Sequence, residues 1–371
     1  MIYRFDDIAY NITTKRVPTP DDKATYIGLE HLDSGELYVK RYGSDVDLKG
    51  DKLVMTKGDI LFGKRNTYLK RVAIAPFDGL FSAHGMIFHP KEDVIDRRYF
   101  PFFINSDAFM DEAIRISVGS LSPTVNWKDL KDLEFDIPPI EEQKKLADKL
   151  WAAYDLKSKY ANLIESIDEM VKSQFIEMFG SLERTQRLGD LFSQIRNGAN
   201  IKQGAITGGF PITRIETISD GTVNREKVGY AGILDDKYKS YYLEDGDVLV
   251  SHINSMTHIG KCALYSKKGD ETIIHGMNIL CLRPLQNLVD PLFIIYLLRS
   301  DILKKEIRDI TKPAVNQASF TVKNFSDIRV FIPSHDQQRE FTSLARQADK
   351  SKFELKKSIE KIDNVIKALM Q

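Results

Sequence analysis

From Lys64 to Arg71 the chain reads Lys-Arg-Asn-Thr-Tyr-Leu-Lys-Arg, four cations with no acid among them. Ammonium and guanidinium groups neutralise phosphates, and Arg and Asn hydrogen-bond the edges of guanine and adenine in the major groove. Lys64, Arg65, Asn66, Tyr68, Lys70 and Arg71 are therefore candidate DNA contacts, although a solvated strand edge or hairpin has the same composition. The matching stretch of the second half, residues 251–261, is polar rather than basic. It suits base reading by hydrogen bonds and offers His252, Asn254, Ser255 and Thr257. Loops rich in Gly, Ser and Thr at 117–124 and 311–319 add Ser120, Ser122, Lys312 and Asn316; loop 196–209 adds Asn197, Lys202 and Gln203. Polar side chains and free amides in such loops position a phosphate, and equally build ordinary turns.

A self-sufficient enzyme needs more than this. The one Pro-Pro pair is followed by Ile140, so no Asn/Asp-Pro-Pro-Tyr/Phe methylation motif is present. Gly260-Lys261 is followed by Cys262, and Ser255 stands where a nucleotide-binding loop has its first glycine. A nuclease-type pattern can be drawn from Pro20-Asp21 and Asp47-Leu48-Lys49, but a chain rich in Asp and Lys yields that match by chance. His252 and His258 do not have a metal-ligand spacing; His84 and His275 each precede Gly-Met and are expected as satisfied structural histidines. Catalytic, metal and cofactor sites are therefore not expected. The two cysteines, Cys262 and Cys281, are expected as small buried residues in a reducing cytoplasm. Residues 1–5 lack the charged-then-apolar layout of a leader, and the apolar run around 292–298 is too short to span a membrane. The expected location is cytoplasmic, with no membrane contact.

The elements that must carry these residues come in two copies. With 371 residues, 42% hydrophobic and 29% charged, the chain has material for two or more domains. At an offset of 195, Ile164, Glu165, Ile167, Asp168 and Lys172 coincide with Ile359, Glu360, Ile362, Asp363 and Lys367. The register runs without a gap from Ile137-Pro138, over Ile332-Pro333, to the last residue. Upstream the offset drifts as loops change length. His84-Gly85-Met86 answers His275-Gly276-Met277, Gly58-Asp59-Ile60-Leu61 answers Gly246-Asp247-Val248-Leu249, and Ser106-Asp107 answers Ser300-Asp301. The order of these matches is the mark of an internal duplication.

Periodicity predicts strands within 53–71 and 247–264, helices over 97–107 and 291–305, and two long helices over 140–178 and 335–371. Pro138 and Pro139 end strand pairing and pre-set φ for helix entry; Glu141 and Glu142 then sit at the positive end of the helix dipole. A heptad seam follows in each helix. Leu355, Ile359, Ile362, Ile366 and Leu369 define it in the second helix, with Lys352 at a core-type position. Leu146, Lys149, Lys157, Tyr160, Ile164, Ile167 and Val171 occupy the matching places in the first. The first helix carries net charge −2 and the second +2, so the two are expected to pair with each other, with apolar packing dominant.

The motif Ile137-Pro138-Pro139-Ile140-Glu141-Glu142-Gln143, the helix ending Phe175-Ile176-Glu177-Met178-Phe179-Gly180, and Leu121-Ser122-Pro123-Thr124-Val125-Asn126-Trp127 with Leu130 resemble the specificity (S) subunits of type I restriction–modification enzymes. The likeness covers essentially the whole chain; in the second copy Ser334 replaces Pro139 and Gln337 replaces Glu142. The resemblance implies an α+β protein with two tandem target recognition domains of duplicated fold. Two long antiparallel coiled-coil helices separate them, with a pseudo-two-fold within the chain. On this reading residues 1–139 and 181–334 are the recognition domains, and 140–180 and 335–371 the helices.

Each domain would read one half of a split double-stranded DNA target, and the helix pair would set the gap. The subunit itself would be non-catalytic. Its implied partners are two modification (methyltransferase) subunits and the restriction (motor/endonuclease) subunits, with S-adenosylmethionine, ATP and Mg on those partners. A net charge of zero argues against indiscriminate polyanion binding. It leaves a second reading open: a scaffold whose coiled coil organises partner subunits without DNA.

Overall fold

The computed structural model describes residues 1–201, 208–218, 221–233, 236–314 and 317–370. Lys202, Gln203 and Asn316 lie outside the described residues. The chain forms two compact units, Met1–Asn162 with Leu355–Gln371, and Leu163–Glu354. The two long helices, α1 (Ile140–Phe179) and α2 (His335–Leu369), each contribute one segment to each unit.

Both units are built on the same antiparallel sheet. In the first its order is Ala9–Ile12, Met86–Pro90, Ile60–Phe62, Val72–Ile74. In the second it is Phe192–Asn197, Ile279–Pro284, Val248–Ser251, Cys262–Leu264. A short ribbon closes each copy, pairing Ile2–Arg4 with Glu134–Asp136 and Gln186–Arg187 with Arg329–Val330. The duplication read from scattered matches is thus one of strand order as well as of sequence.

The Gly-Asp matches have a physical cause. Gly58 and Gly246 sit at φ +92° and +89°, a left-handed conformation that costs a residue with a Cβ. Asp59 and Asp247 are buried and accept from the backbone N–H of Thr56 and Glu244, each at 2.8 Å. Their second oxygens meet His89 Nδ1 at 2.8 Å and Arg283 Nε at 2.9 Å.

The Ser-Asp matches correct an expectation. Each predicted single helix is two, Phe100–Asn105 then Asp107–Arg115, and Pro291–Arg299 then Asp301–Asp309. Ser106 and Ser300 have extended backbones, and their hydroxyls cap the following helix by accepting from Phe109 and Leu303 N–H.

The helices pack first on their own units. In the first unit Ala147, Leu150, Tyr154 and Ile366 are buried in a core with Phe5, Phe88, Phe102 and Phe109. In the second, Val171, Phe175, Phe179, Phe341, Ala345 and Ala348 join Phe293, Phe325 and Phe331. The residues of the predicted seam form a sheltered stripe. Val171 and Ile366 are buried, and Leu146, Tyr160, Ile164, Ile167, Leu355, Ile359, Ile362 and Leu369 are half-buried. Lys149 departs from it and is exposed, because α1 turns Ala147 and Leu150 toward the sheet of its unit.

Within each unit α1 and α2 segments also meet through charge. Lys157 Nζ is 2.8 Å from Asp363, and Lys367 Nζ is 3.0 Å from Asp107 on the short helix. The second unit repeats both pairs at the equivalent positions, Lys352 with Asp168 at 2.5 Å and Lys172 with Asp301 at 3.2 Å. Lys352, expected at a core-type position, is the half-buried member. Burial pushes its ammonium down, but hydrogen bonds to Asp168 and Asp349 outweigh that and leave it above its ordinary range.

Candidate nucleic-acid interface

Two candidate segments that lie about fifty residues apart in sequence form one surface. Arg65 bridges Thr124 in an antiparallel β-bridge, Asn66 N–H donates to Pro123 O at 2.7 Å, and Val125 N–H donates to Lys64 O at 3.0 Å. The Arg65 guanidinium also donates to Ser122 Oγ at 3.2 Å. Strip 64–71 and loop 117–124 are therefore a single patch. The second unit brings its counterparts together in the same way. Ile253–Asn254 pairs with Ala318–Ser319, which pairs in turn with Lys312–Pro313.

The four cations of the strip do different things. Arg65 is exposed at its surface. Lys64 is half-buried in a groove lined by Asn11, Thr13, Lys15, Gly85 and Asn126. Burial, and then the charge of Lys15, push its ammonium below the ordinary range. Two cations sharing a groove favour an anion between them.

Lys70 and Arg71 correct the expectation of a uniformly available strip. Lys70 stands at φ +46° and pairs with Asp107 at 3.0 Å and Asp111 at 3.5 Å, acids supplied from another helix. Arg71 donates to the carbonyls of Leu29 and Arg65, each at 3.1 Å, and burial lowers its pKa. Asn66, at φ +55°, turns the chain, and its Oδ1 is buried without a hydrogen-bond partner. Tyr68 and Ser120 are exposed, and Ser122 is half-buried beneath Arg65.

In the second unit Ser255, Thr257 and His258 form an exposed cluster, Ser255 Oγ lying 3.0 Å from Thr257 Oγ1 and 2.9 Å from His258 Nδ1. Asn254 is half-buried and donates to Ser251 Oγ at 3.1 Å. His252 is a correction: it is buried beside Phe320, and burial pushes its pKa to about 4, so it is a neutral packing residue. His275 meets its expectation, buried with its ring nitrogens 3.1 and 3.2 Å from the carbonyls of Tyr241 and Asn197. His84 does not; it is exposed in the turn between Gly79–Phe81 and Met86–Pro90. The side chain of Asn197 is exposed at the end of its strand, and Lys312 is exposed. Sequence reasoning missed Lys15, which no motif marks and which only the fold brings to Lys64. It also missed Arg196, stacked 3.8 Å over the Tyr241 ring.

Cys262 and Cys281 are buried, and burial raises both thiols. Among the described residues no group of three or more His, Cys, Asp or Glu could hold a metal ion, and no helix is long and apolar enough to cross a membrane.

Fold and surface define a tandem recognition protein, one α+β domain present twice with the same two segments forming a polar patch in each. The chain belongs to the type I restriction modification DNA specificity domain family, whose profile matches residues 2–166 and 183–364. It is 38% identical over 187 residues to a Methanocaldococcus jannaschii protein named as the MjaX type I restriction enzyme specificity subunit. That alignment spans 50% of this chain and 44% of that relative, so the chain covers less than half of it. The Escherichia coli EcoKI specificity subunit is 21% identical over 323 residues, 80% of this chain and 68% of that one. Among solved structures, the type I system S subunit from M. genitalium has a TM-score of 0.54 at 15% identity, covering 100% of this chain and 94% of that one. A chain from work on complex assembly and conformational transition of the type I R-M system reaches 0.57 at 16%, covering 100% and 96%. Family membership decides for DNA specificity over a scaffold that ignores DNA.

Proposed function

We propose that this chain reads a bipartite duplex target, one half-site per unit, and that α1 and α2 set the gap between the halves. The observation that carries the reading is the repeated patch: strip and loop meet by backbone pairing in both units, once with cations and once with hydroxyls and amides. The basic copy supplies phosphate neutralisation, and the polar copy supplies hydrogen bonds to base edges. At net charge zero, affinity comes from such local patches rather than from the field of the whole protein.

In this reading the chain is non-catalytic and cytoplasmic. It scaffolds two modification subunits that use S-adenosylmethionine, and restriction subunits that use ATP and Mg. The relatives' names as restriction-enzyme specificity subunits support that role. The test is methylome sequencing of a host expressing this chain with its modification partner. A split sequence methylated on adenine in both halves is expected. One contiguous methylated site would refute the bipartite reading.

A further inference from the structure

We infer that Leu121 is a wedge that enters the base stack of the bound duplex. Leu121 is 95% exposed, the highest value among the exposed large apolar side chains of the described residues. A scattered surface leucine is ordinary. This one is held out on a braced loop. Val118 and Thr124 exchange backbone hydrogen bonds of 3.1 and 2.9 Å, closing 119–123 into a tight hairpin that Gly119 turns at φ +114°. Pro123 O and Ser122 Oγ are tied to Asn66 and Arg65, and Val125 N–H to Lys64 O. The tip is therefore tied to the basic strip through residues 122–125 and closed on itself by Val118 and Thr124.

The surroundings say what the tip meets. Residues 60–77 and 116–126 contain no acid, and Val118 and Tyr68 are 58% and 56% exposed. An apolar point beside the cations of Arg65 and Lys64 is too small for a protein interface. It is also short of the apolar face that binding to a lipid surface takes. It fits a duplex, where Arg65 and Lys64 meet phosphates while one aliphatic side chain slips between base steps, unstacking and kinking them. Unstacking by this subunit would also lower the cost of extruding a base for a partner's chemistry.

This inference rests on the DNA reading above. Its test uses the full chain alone, so that no methyltransferase extrudes a base, on duplexes of the methylome-derived target with 2-aminopurine at one position at a time. The wild type raises the fluorescence severalfold at one step. Leu121→Ala binds about tenfold more weakly, as expected from the loss of buried aliphatic surface, and gives no rise at saturation; Leu121→Met restores it. Wild-type binding without a rise at any step, or an equal rise with Leu121→Ala, overturns the wedge and leaves DNA recognition intact. Failure of the wild type to bind duplex overturns both. Leu121-dependent binding to anionic phosphatidylglycerol vesicles in place of duplex overturns the wedge in favour of a lipid surface.

Discussion

The side-chain amide of Gln143 donates to the carbonyl of Pro138 at 2.8 Å, folding the first turn of α1 back onto the proline that starts it. The same nitrogen donates to Val94 O at 3.0 Å, and its oxygen accepts from Asp96 N–H at 2.6 Å. Gln338, 195 residues on, repeats all three contacts with Pro333 at 3.0 Å, Leu288 at 3.1 Å and Asp290 at 2.9 Å. Both glutamines are buried. Each is a clamp that binds a long helix to the segment entering the short helices of its own unit, and the clamp is duplicated atom for atom.

Replacing Gln143 with leucine leaves two carbonyls and one N–H of the joint without these partners. The expected loss is about 2–4 kcal/mol of unfolding free energy, read by urea denaturation. Gln143→Glu is expected to do no better, because a carboxylate has no hydrogen to give Val94 or Pro138. Variants as stable as the wild type would show that the joint is held by packing alone.

If the helices set the gap, seven residues added to each should lengthen it and leave the bases unchanged. The places are between 162 and 163 in α1 and between 354 and 355 in α2, where the compact units divide. Seven residues add about 10.5 Å of helix, or about three base pairs at 3.4 Å each. Methylome sequencing reads the new gap directly. An unaltered gap would reject the spacer role.

Arg65 and Lys70 are five residues apart and should behave differently. Arg65→Ala is expected to weaken duplex binding about tenfold and to lower the salt slope by about one. Lys70→Ala frees Asp107 and Asp111 from an exposed pair, so it costs no more than about 1 kcal/mol of stability and leaves the slope in place. Fluorescence anisotropy titrations at several salt concentrations decide it. Equal slopes for Arg65→Ala and wild type would remove Arg65 from the interface.

His252 carries a pH dependence whose sign is fixed by its burial. Its pKa falls from 6.5 to about 4 in the folded chain. Between those values the unfolded chain takes up a proton that the folded chain refuses, so stability falls as pH drops through this window. His252→Leu should lose less stability than wild type between pH 6.5 and 4. Urea midpoints at pH 7, 5.5 and 4.5 measure this, and parallel losses in both proteins would contradict it.

Much of the architecture is legible in residue order because it depends on local periods. The heptad seam places Ile164, Ile167, Val171, Ile359, Ile362 and Ile366 on a sheltered stripe from spacing alone. The seam failed at Lys149, where α1 answers to the sheet of its unit and buries Ala147 and Leu150 instead. The apolar runs of each pair of short helices are continuous, so the helical period predicts one helix where there are two. A serine cap is a three-residue event that the helical period does not register.

The sequence alone determined the duplication, the two long helices, the proline joints and the acid-free strip, since each is a matter of residue type at short range or of one register kept over many residues. Tertiary structure decided which members of the strip face solvent. Lys70 is paired because Asp107 and Asp111 arrive from a helix 37 and 41 residues away, and His252 is neutral because the fold buries it, beside Phe320. It also joined strip 64–71 to loop 117–124 and raised Leu121 at the tip. Those pairings are backbone hydrogen bonds between segments far apart in the chain, and backbone donors and acceptors are the same at every residue. Composition therefore carries no trace of the partner each will find.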